Sequence, residues 1–419
     1  KSAKELSEML LNPRKNGFFK VTDEKIEKAD KFCEGYKAFL NSAKTERESV
    51  EYAVAAAEKH GFVPFDPKHK YAAGDKVYYN NRGKAICLAI MGKEGCKNGV
   101  RIAAAHIDNP RLDLKPVPLY ESSEMAYLKT HYYGGIKKYQ WGAIPLALHG
   151  VIYKADGTQV NVCIGEDEGD PVFCITDLLP HLSADQNERK LNEGVKGEEL
   201  NIVVGSLPYA DKEVKDRVKL LALKLLNDKY GITERDFITA ELEAVPAFKA
   251  KDVGLDRGLI GAYGHDDRVD AYPALIAEME TKLPVYTTVC VLTDKEEIGS
   301  EGVTGLNSMY VFHFVQQLCK AQGADDILCF QNSKCLSADV TAAFDPTFPS
   351  AFEAQNSTFA GKGVAIAKYT GSRGKGGAND ASAELVSYFT RIFDAAGAVW
   401  QIGELGKVDQ GGGGTVAKY

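Results

Sequence analysis

The hydrophobic pattern of the first part of the chain changes from helical spacing to continuous runs. Residues 45–60 open with a Thr45/Glu48 capping box and continue with apolar residues at helical spacing, which predicts a helix. Residues 84–92 and 99–108 are continuous apolar runs separated by a turn rich in Gly and Lys. Such runs are typical of strands in a sheet that is covered on both faces. We therefore expect an α/β layer here.

A β-rich pattern occupies residues 116–246. Residues 147–164 alternate between apolar and polar positions around the dipeptide Asp156-Gly157, which predicts a β-hairpin. Residues 211–231 have the spacing of a helix that ends at a glycine. We interpret this part of the chain as a β-rich insertion.

The α/β alternation returns after the insertion. The pattern predicts these elements: helix 266–281, strand 285–293, helix 307–322, strand 326–330, strand 363–369 and helix 379–396. A single core rarely grows beyond about 250 to 300 residues, so a chain of 419 residues is expected to form two domains. We expect one domain from residues 1–115 and 247–419, and the other from residues 116–246.

Charge and hydropathy narrow the class of partner. The formal net charge is -7, which provides no basic field for nucleic acid or an anionic membrane. The apolar runs are shorter than the roughly 18 residues of a membrane-spanning helix, and the first residues contain no apolar signal segment. We expect a cytoplasmic protein that binds neither nucleic acid nor membrane.

The cysteines suggest a reduced protein. There are 9 of them, they form no CxxC pair, and most lie in apolar stretches, as core thiols do. We therefore expect no thiolate zinc site.

Residues of metal-binding types stand at the ends of predicted strands or in the turns that follow them. They are His106, Asp108, Asp266, Asp267, Glu296, Glu297 and Asp339. In open α/β sheets the strand ends line the ligand crevice, so these side chains can converge. Several carboxylates in one crevice raise one another's pKa unless divalent cations neutralise them, and one His with carboxylate oxygens suits zinc, manganese or cobalt. The pattern predicts a two-metal site.

Each of these signals is ordinary when taken alone. A single His at a strand end is more often a hydrogen-bonded structural residue, and an acidic pair in a loop is usually a solvated turn. An Asp-Asp pair before a helix is usually a cap. The spacing His106-x-Asp108 favours ligation, because a nearby carboxylate commonly orients a ligand imidazole. Only the joint pattern favours metal binding.

Six segments together resemble the metallo-aminopeptidase family of aspartyl aminopeptidase and vacuolar aminopeptidase I, in the family's order. They are AAHIDNPRLDLKP, GHDDRVDAYPAL, DKEEIGSEG, SADVTAAFDP, GSRGKGGANDASAE and GELGKVDQGGGGT. The resemblance implies a zinc-aminopeptidase (phosphorylase/hydrolase-like) three-layer α/β domain with an inserted β-rich dimerisation domain. It also implies two divalent metal ions per subunit, most readily zinc with manganese or cobalt as alternatives, and removal of N-terminal residues from peptides.

The resemblance assigns metal-binding roles by position. His106 and Asp339 would bind one metal, Glu297 would bind the other, and Asp266 would bridge the two. Glu296 would be the general base.

The same resemblance assigns four further roles. Asp108 would orient His106, and Asp267 would follow the bridging aspartate through a strained peptide bond, which can be cis. Lys375 would recognise an acidic substrate side chain, although a lysine flanked by glycines is otherwise a mobile surface charge. His181 would reach the active site of a neighbouring subunit, although a histidine at this position could also cap a turn.

The sequence departs from the family pattern at its C-terminal end. The family closes the second metal site with a His in a short Met-His segment, whereas none of the 8 histidines here lies after His313. We expect that the C-terminal end of the catalytic domain is incomplete.

Several functional interpretations stay open at this point. Members of the family commonly assemble as tetrahedral homododecamers, so self-association is expected. A peptidase that prefers Asp or Glu and a broad or leucine-type one share the metal residues. A non-catalytic metal-binding or structural subunit of the same fold is the alternative outside enzymes. A nucleophilic hydrolase is disfavoured because the sequence has no GxSxG elbow, and GGGGT lacks the Walker pattern of a phosphate-binding loop.

Overall fold

The computed structural model describes residues 1–377, 379–413 and 415–418. The α-helices of this part of the chain are α1 (Ala3–Leu10), α2 (Asp23–Ser42), α3 (Glu46–Lys59), α4 (Ala184–Asn187), α5 (Arg217–Tyr230), α6 (His265–Glu280), α7 (Tyr310–Gln322), α8 (Asp326–Asn332) and α9 (Ala383–Ala396). In the residues described, none of these helices combines the length and the apolar character needed to cross a membrane.

The strands fall into two large sheets and two small ones. They are β1 (Val63–Pro64), β2 (Lys76–Asn81), β3 (Ala85–Ile90), β4 (Arg101–His106), β5 (Arg111–Ser122), β6 (Met125–Tyr133), β7 (Leu146–Tyr153), β8 (Gln159–Ile164), β9 (Cys174–Ile175), β10 (Ile202–Gly205), β11 (Ala240–Pro246), β12 (Lys251–Val253), β13 (Leu259–Gly261), β14 (Thr288–Thr293), β15 (Lys334–Ser337), β16 (Val364–Ile366) and β17 (Trp400–Ile402).

The first large sheet has helices on both faces. Its strand order is β1-β2-β3-β14-β4-β15, and β14, β4 and β15 are parallel neighbours. Alternate side chains of β3 enter different cores. Ile86, Leu88 and Ile90 pack with residues of α3 and α6, whereas Cys87 and Ala89 pack with residues of α7. Burial of both faces explains the continuous apolar runs, and the predicted three-layer α/β fold is confirmed.

Local signals predicted several elements correctly. Thr45 Oγ1 accepts a hydrogen bond from the backbone N–H of Glu48, and a Glu48 carboxylate oxygen accepts one from the N–H of Thr45, so the predicted capping box opens α3. β7 and β8 form the predicted hairpin. α5 ends at Gly231, whose φ of 64° lies in the left-handed region that glycine adopts easily.

The predicted strand 326–330 is wrong, because these residues lie in α8. The carboxylate of Asp325 accepts a hydrogen bond of 2.8 Å from the backbone N–H of Leu328 and caps this helix. The strand at this edge of the sheet is β15, which comes directly after the helix. A short apolar run between turn residues fits a buried helix as well as a strand, and here the Asp325 cap decides in favour of the helix.

The second large sheet is antiparallel and has a core of its own. Its order is β8-β7-β11-β5-β6-β10-β9, and residues such as Leu112, Leu146 and Ile152 are fully buried in it. The sheet begins at Arg111, five residues before the predicted boundary at 116, because β5 is one continuous strand. We propose that this sheet and α5 form the inserted domain, and its role in dimerisation stays a prediction.

Charged side chains fill the space between the two large sheets. We call them the junction cluster: Lys44, Glu46, Glu48, Lys84, Arg111, His149, Glu166, Glu241 and Glu243. Glu46, at the start of α3, lies 3.0 Å from Lys84 Nζ and 3.4 Å from Arg111 Nη1. Arg111 Nε is also 3.3 Å from a carboxylate oxygen of Glu243 on β11. Removing one partner of a buried ion pair typically costs about 3 to 5 kcal/mol, so these pairs hold the sheets in one arrangement.

His149 on β7 lies between two carboxylates of the junction cluster. Its Nδ1 is 2.7 Å from Glu48 Oε1, and its Nε2 is 3.1 Å from Glu166 Oε1. Burial lowers the pKa of His149, but its hydrogen-bond partners outweigh burial and raise this pKa to about 11. Burial raises the pKa of Glu166, but its cationic neighbours, His149 and Lys44 among them, lower it to about 2.

These pKa shifts predict how stability depends on pH. Glu166 contributes stability fully above its ordinary pKa of 4.5, and this contribution is lost as the pH falls toward about 2. His149 contributes fully below its ordinary pKa of 6.5, and this contribution is lost as the pH rises toward about 11. We expect the thermal unfolding midpoint, followed by circular dichroism, to be highest between these ordinary values and to fall on both sides.

The variant Glu166→Gln isolates the acid side of this prediction. It should unfold at a lower temperature at neutral pH, because Lys44 loses the charge of its partner, and its midpoint should fall less between pH 4.5 and 2 than that of the wild type. Glu168→Gln, two residues along and exposed, is the control and should follow the wild type. If the unfolding midpoint of Glu166→Gln falls as much between pH 4.5 and 2 as that of the wild type, the role given to Glu166 is contradicted.

Candidate metal centre

Three parallel neighbouring strands bring the predicted residues to one edge of the first sheet. β4 ends at His106, which is paired in register with Thr293 at the end of β14. On the other side of β4, Ser337 at the end of β15 is paired with Ala104, and Asp339 follows two residues later. Because the strands are parallel, their carboxyl ends share one edge, where α/β proteins commonly bind ligands.

The backbone turns sharply after β14. Residues Glu296–Ile298 form one turn of 3₁₀-helix between Lys295, with φ of 69°, and Gly299, with φ of 91°. Successive side chains of such a helix point about 120° apart, because it has 3 residues per turn. The turn therefore lets the adjacent side chains of Glu296 and Glu297 face different surroundings.

Two overlapping groups of donor atoms form at this edge. One group is His106, Glu296 and Asp339, and the other is His106, Asp266 and Glu297. Within each group the donor atoms lie within 4.8 Å of one another. Nε2 of His106 is 3.1 Å from Asp266 Oδ1, 3.8 Å from Glu296 Oε2 and 4.0 Å from Asp339 Oδ1. The structure thus brings together the five residues for which the sequence predicted metal binding or base catalysis.

The carboxylate of Asp108 is fully buried beneath these groups. Its Oδ1 lies 3.2 Å from His106 Nδ1, which is also 3.0 Å from the backbone carbonyl oxygen of Asp108. The same Oδ1 accepts from the backbone N–H of Glu296 at 3.1 Å. Its Oδ2 accepts from the hydroxyl of Tyr133 at 2.7 Å and from the N–H of Glu297 at 3.2 Å. Burial raises the pKa of Asp108, but His106 and Tyr133 outweigh burial and hold it below the usual range. Asp108 can therefore stay ionised and orient His106.

Asp266 and Asp267 open α6 with backbone angles that are not helical, and the peptide bond between them is cis, as the resemblance allowed. The side chain of Asp266 is half-exposed, whereas that of Asp267 is buried and accepts a 3.2 Å hydrogen bond from the N–H of His106. Burial and then the nearby Asp270 raise the pKa of Asp267 to about 10. Asp267 thus supports the strand end rather than facing substrate.

The donor atoms fit a divalent cation. Burial and then the charge of Asp266 raise the pKa of Glu297 to about 8. Burial raises the pKa of Asp339 to about 7, although the charge of His106 opposes this shift. Burial also raises the pKa of Glu296. Oε1 of Glu297 is buried and has no hydrogen-bond partner among the described residues. A divalent cation would supply the missing partner and offset the repulsion between the carboxylates. One imidazole with carboxylates is a donor set that zinc accepts.

The sequence did not indicate three residues around this centre. Asn109 donates from its side chain to the backbone carbonyl of Asp266. Asp270 lies one helical turn after Asp267 and lines the cavity described next. The spacing of these two residues from the predicted ligands could have identified them. Tyr133 comes from the second sheet, and no local signal connects it with the site.

A cavity of about 1430 Å³ opens beside the centre. Glu296, Asp266 and Asp339 line it, and segments within residues 364–373 and 403–417 form other parts of its wall. A space of this size can hold several residues of an extended peptide.

Lys375 also lines this cavity. Its Nζ lies 3.0 Å from Asp380 Oδ2 and 3.5 Å from the centre of the Tyr369 ring. Lys368 and Lys407 line the same cavity, so Lys375 is one of several cationic residues there. Lys375 therefore lies in the cavity wall with Asp380 as its partner, and its role in substrate binding stays a prediction.

His181 lies away from the other predicted residues. It is exposed in a short 3₁₀-helix, Pro180–Leu182, and is not among the described residues that line the cavity. A role for His181 within the same subunit therefore has no support, whereas the predicted contact with a neighbouring subunit stays a prediction.

Comparisons with known proteins agree with this geometry. A family model described as "Aminopeptidase I zinc metalloprotease (M18)" matches residues 39–419. A curated relative from Clostridium acetobutylicum, "Probable M18 family aminopeptidase 1", is 48% identical over 416 residues, which cover 97% of this chain and 90% of the relative.

Solved structures share the fold. The M18 aminopeptidase of Thermotoga maritima superposes with a TM-score of 0.91 at 44% identity, covering 97% of this chain and 90% of that chain. The S. cerevisiae mApe1 dodecamer has a TM-score of 0.70 at 20% identity, covering 91% of this chain and 89% of that chain. The resemblance predicted from the sequence is confirmed: the chain belongs to the M18 family of aminopeptidase I zinc metalloproteases and is an aminopeptidase.

Proposed function

We propose that this aminopeptidase holds two divalent metal ions, most readily zinc with manganese or cobalt as alternatives, and removes N-terminal residues from peptides with a preference for Asp or Glu. The observation that carries the proposal is the pair of overlapping donor groups, His106 with Glu296 and Asp339, and His106 with Asp266 and Glu297, beside a large cavity.

The chemistry of the donors suggests how the ions would be shared. His106 belongs to both groups, but its Nε2 offers one lone pair and can bind one ion only. Asp266 offers two oxygens and is half-exposed, so it is the residue suited to bridge. His106 and Asp339 would then hold one ion and Glu297 the other.

Burial separates the proposed roles of the two adjacent glutamates. Glu296 lines the cavity and its side chain is 19% exposed, so its carboxylate can reach a water or a substrate. Glu297 does not line the cavity among the described residues, and its Oε1 is buried without a partner. This difference supports Glu296 as the general base and Glu297 as a ligand.

The proposed mechanism follows from these positions. When bound, the metal ions would polarise the scissile carbonyl and lower the pKa of a water molecule. Glu296 would accept the proton of that water and deliver it to the leaving amine. The backbone carbonyl of Asp108 would accept a hydrogen bond from Nδ1 of His106, and the nearby carboxylate would stabilise that N–H, which leaves Nε2 free to ligate.

Two observations bear on substrate preference. Lys375 lines the cavity and could pair with an acidic side chain, although a substrate carboxylate would have to compete with Asp380. Leu385 and Phe389 line the same cavity and would suit an apolar side chain. A broad or leucine-type preference is therefore the second candidate.

We also propose that the chain self-associates. The support is the family membership and the fold shared with the dodecamer of S. cerevisiae mApe1. The resemblance to the family is what supports the tetrahedral arrangement and the placement of His181 at a neighbouring active site.

Metal removal and one substitution test the proposed catalytic centre. Chelation should abolish hydrolysis of aminoacyl chromogenic substrates, and zinc should restore it with two ions per chain in elemental analysis. Glu296→Gln should keep both ions and lower kcat by about 10² to 10⁴-fold, because a general base contributes that much.

Glu301→Gln is the matched control for this substitution. It is exposed five residues further along the same loop and should keep the wild-type rate. If Glu296→Gln has the kcat of the wild type, Glu296 is not the general base. A fully active enzyme with one ion per chain would refute the two-metal centre, and metal-replete protein that cleaves no substrate would count against the proposed peptide hydrolysis.

A second substitution tests the positioning role of Asp108. Asp108→Asn should weaken zinc affinity by about 10 to 100-fold, measured by competition with a chelator, because the ligand imidazole loses its charged partner. Tyr133→Phe removes one hydrogen bond to Asp108 and should weaken affinity less. If Asp108→Asn folds and binds zinc as tightly as the wild type, Asp108 does not position the ligand.

A third substitution tests the acidic preference. The Lys375→Met variant should lower kcat/KM for Asp and Glu substrates by about tenfold or more relative to Leu, since a charge-assisted hydrogen bond contributes about 1.5 to 3 kcal/mol. Lys407→Met, in the wall of the same cavity, should leave this ratio unchanged. A wild type that prefers Leu, or an unchanged ratio in Lys375→Met, would favour the broad or leucine-type activity.

A further inference from the structure

Three cysteines from separate segments meet in the core of the first sheet. Cys96 lies in the turn before β4, Cys319 lies near the end of α7, and Cys329 lies in α8. All three are fully buried, and their sulfur atoms lie within 4.8 Å of one another. Their burial agrees with the predicted core position, whereas their spacing in the sequence does not indicate that they lie together.

Hydrogen bonds hold the segments that carry these cysteines. The backbone N–H of Cys96 donates to the side-chain oxygen of Gln322 at 2.9 Å. The hydroxyl of Ser333 donates to the carbonyl of Cys329 at 2.7 Å and accepts from the N–H of Val100 at 3.0 Å. The sulfur atoms are thus brought together by the fold itself, which is the preorganisation that a metal site requires.

The three thiols lie at the opposite end of the strands from the catalytic centre. Cys96 precedes His106 by ten residues, and Cys329 precedes Asp339 by the same number. β4 and β15, which connect these pairs, are parallel neighbours, with Arg101 paired to Lys334 at their amino ends. The cysteine group and the metal centre are therefore separate sites on the same two strands.

The hydrogen bonds among the three thiols favour a thiolate at Cys329 only. Hydrogen bonds from Cys319 and then Cys96 lower the pKa of the Cys329 thiol, and the same contacts, with Cys329 first, raise the pKa of Cys319. The hydrogen bond with Cys319 lowers the pKa of Cys96, but Cys329 and burial outweigh it and raise this pKa to about 12. Thiolate sulfur is the form that binds metals, and it selects soft ions such as Cu(I) and zinc. Structural zinc takes four ligands, whereas the group that the described residues form here has three cysteines and no further His, Asp or Glu.

We propose that Cys96, Cys319 and Cys329 bind one soft, thiophilic metal ion, with Cu(I) as the ion that suits three sulfur ligands. A sulfur that binds as a thiolate releases its proton to solvent, and the single positive charge of Cu(I) offsets the negative charge of one thiolate. A bound ion would tie the turn before β4 to α7 and α8, and so fix the amino ends of the two strands that carry His106 and Asp339. This proposal is independent of the proposed peptidase mechanism.

The experiment uses copper itself as the probe. The protein is produced in copper-supplemented medium, so that the ion is present while the chain folds and burial cannot block entry. It is then purified under reducing conditions with a Cu(I) chelator, and copper is counted by elemental analysis. X-ray absorption identifies the ligand atoms, and sulfur neighbours distinguish this site from the proposed catalytic centre, whose ligands contain no sulfur. We expect one copper per chain with about three sulfur neighbours, the number that the cysteine group supplies.

A matched pair of variants completes the test. Cys319→Ala should lose the copper. Cys87→Ala removes an equally buried thiol from the same core and should keep it. Wild-type protein without retained copper, copper with only nitrogen or oxygen neighbours, or retention by a folded Cys319→Ala would each overturn the proposal. If Cys319→Ala does not fold, the absorption spectrum of the wild type decides alone.

Discussion

The buried carboxylate of Asp108 is the constraint on which the metal centre depends. It lies against the imidazole of His106 and accepts hydrogen bonds from the hydroxyl of Tyr133 and from the backbone N–H groups of Glu296 and Glu297. A buried anion without such partners would cost several kcal/mol, so all of these donors must be in place together. One side chain thus fixes the end of β4, the turn after β14 and a strand of the second sheet relative to one another.

A cation–π contact joins the junction cluster to the metal centre. The guanidinium of Arg111, held by Glu46 and Glu243, lies 3.8 Å from the centre of the Tyr133 ring. Tyr133 in turn donates its hydroxyl to Asp108. The second sheet supplies none of the proposed metal ligands, yet its charges position the tyrosine that supports them. This arrangement gives the second sheet a part in the proposed chemistry.

The sequence predicted the parts of the structure that depend on local or periodic signals. The ends of parallel strands share an edge, so residues as distant as His106 and Asp339 could be expected to meet. The contacts of Tyr133 with Asp108, and of Arg111 with Glu46, join residues with no shared motif, and only the packed sheets bring them together. The proximity of Cys96, Cys319 and Cys329 has the same cause, because a group built from three separate segments leaves no spacing pattern. The wrong strand at 326–330 has a different cause, because the signal that decides in favour of a helix, the Asp325 cap, lies in the adjacent sequence.

The structure also explains why the metal residues do not reveal the preferred substrate. The proposed ligands and the base stand at strand ends and in the turn Glu296–Ile298, where Asp108 couples their positions. Much of the cavity wall comes instead from segments within residues 364–373 and 403–408, which supply none of these groups. Side chains can therefore change in that wall without disturbing the metal chemistry. Two enzymes with identical metal motifs can therefore differ in preference.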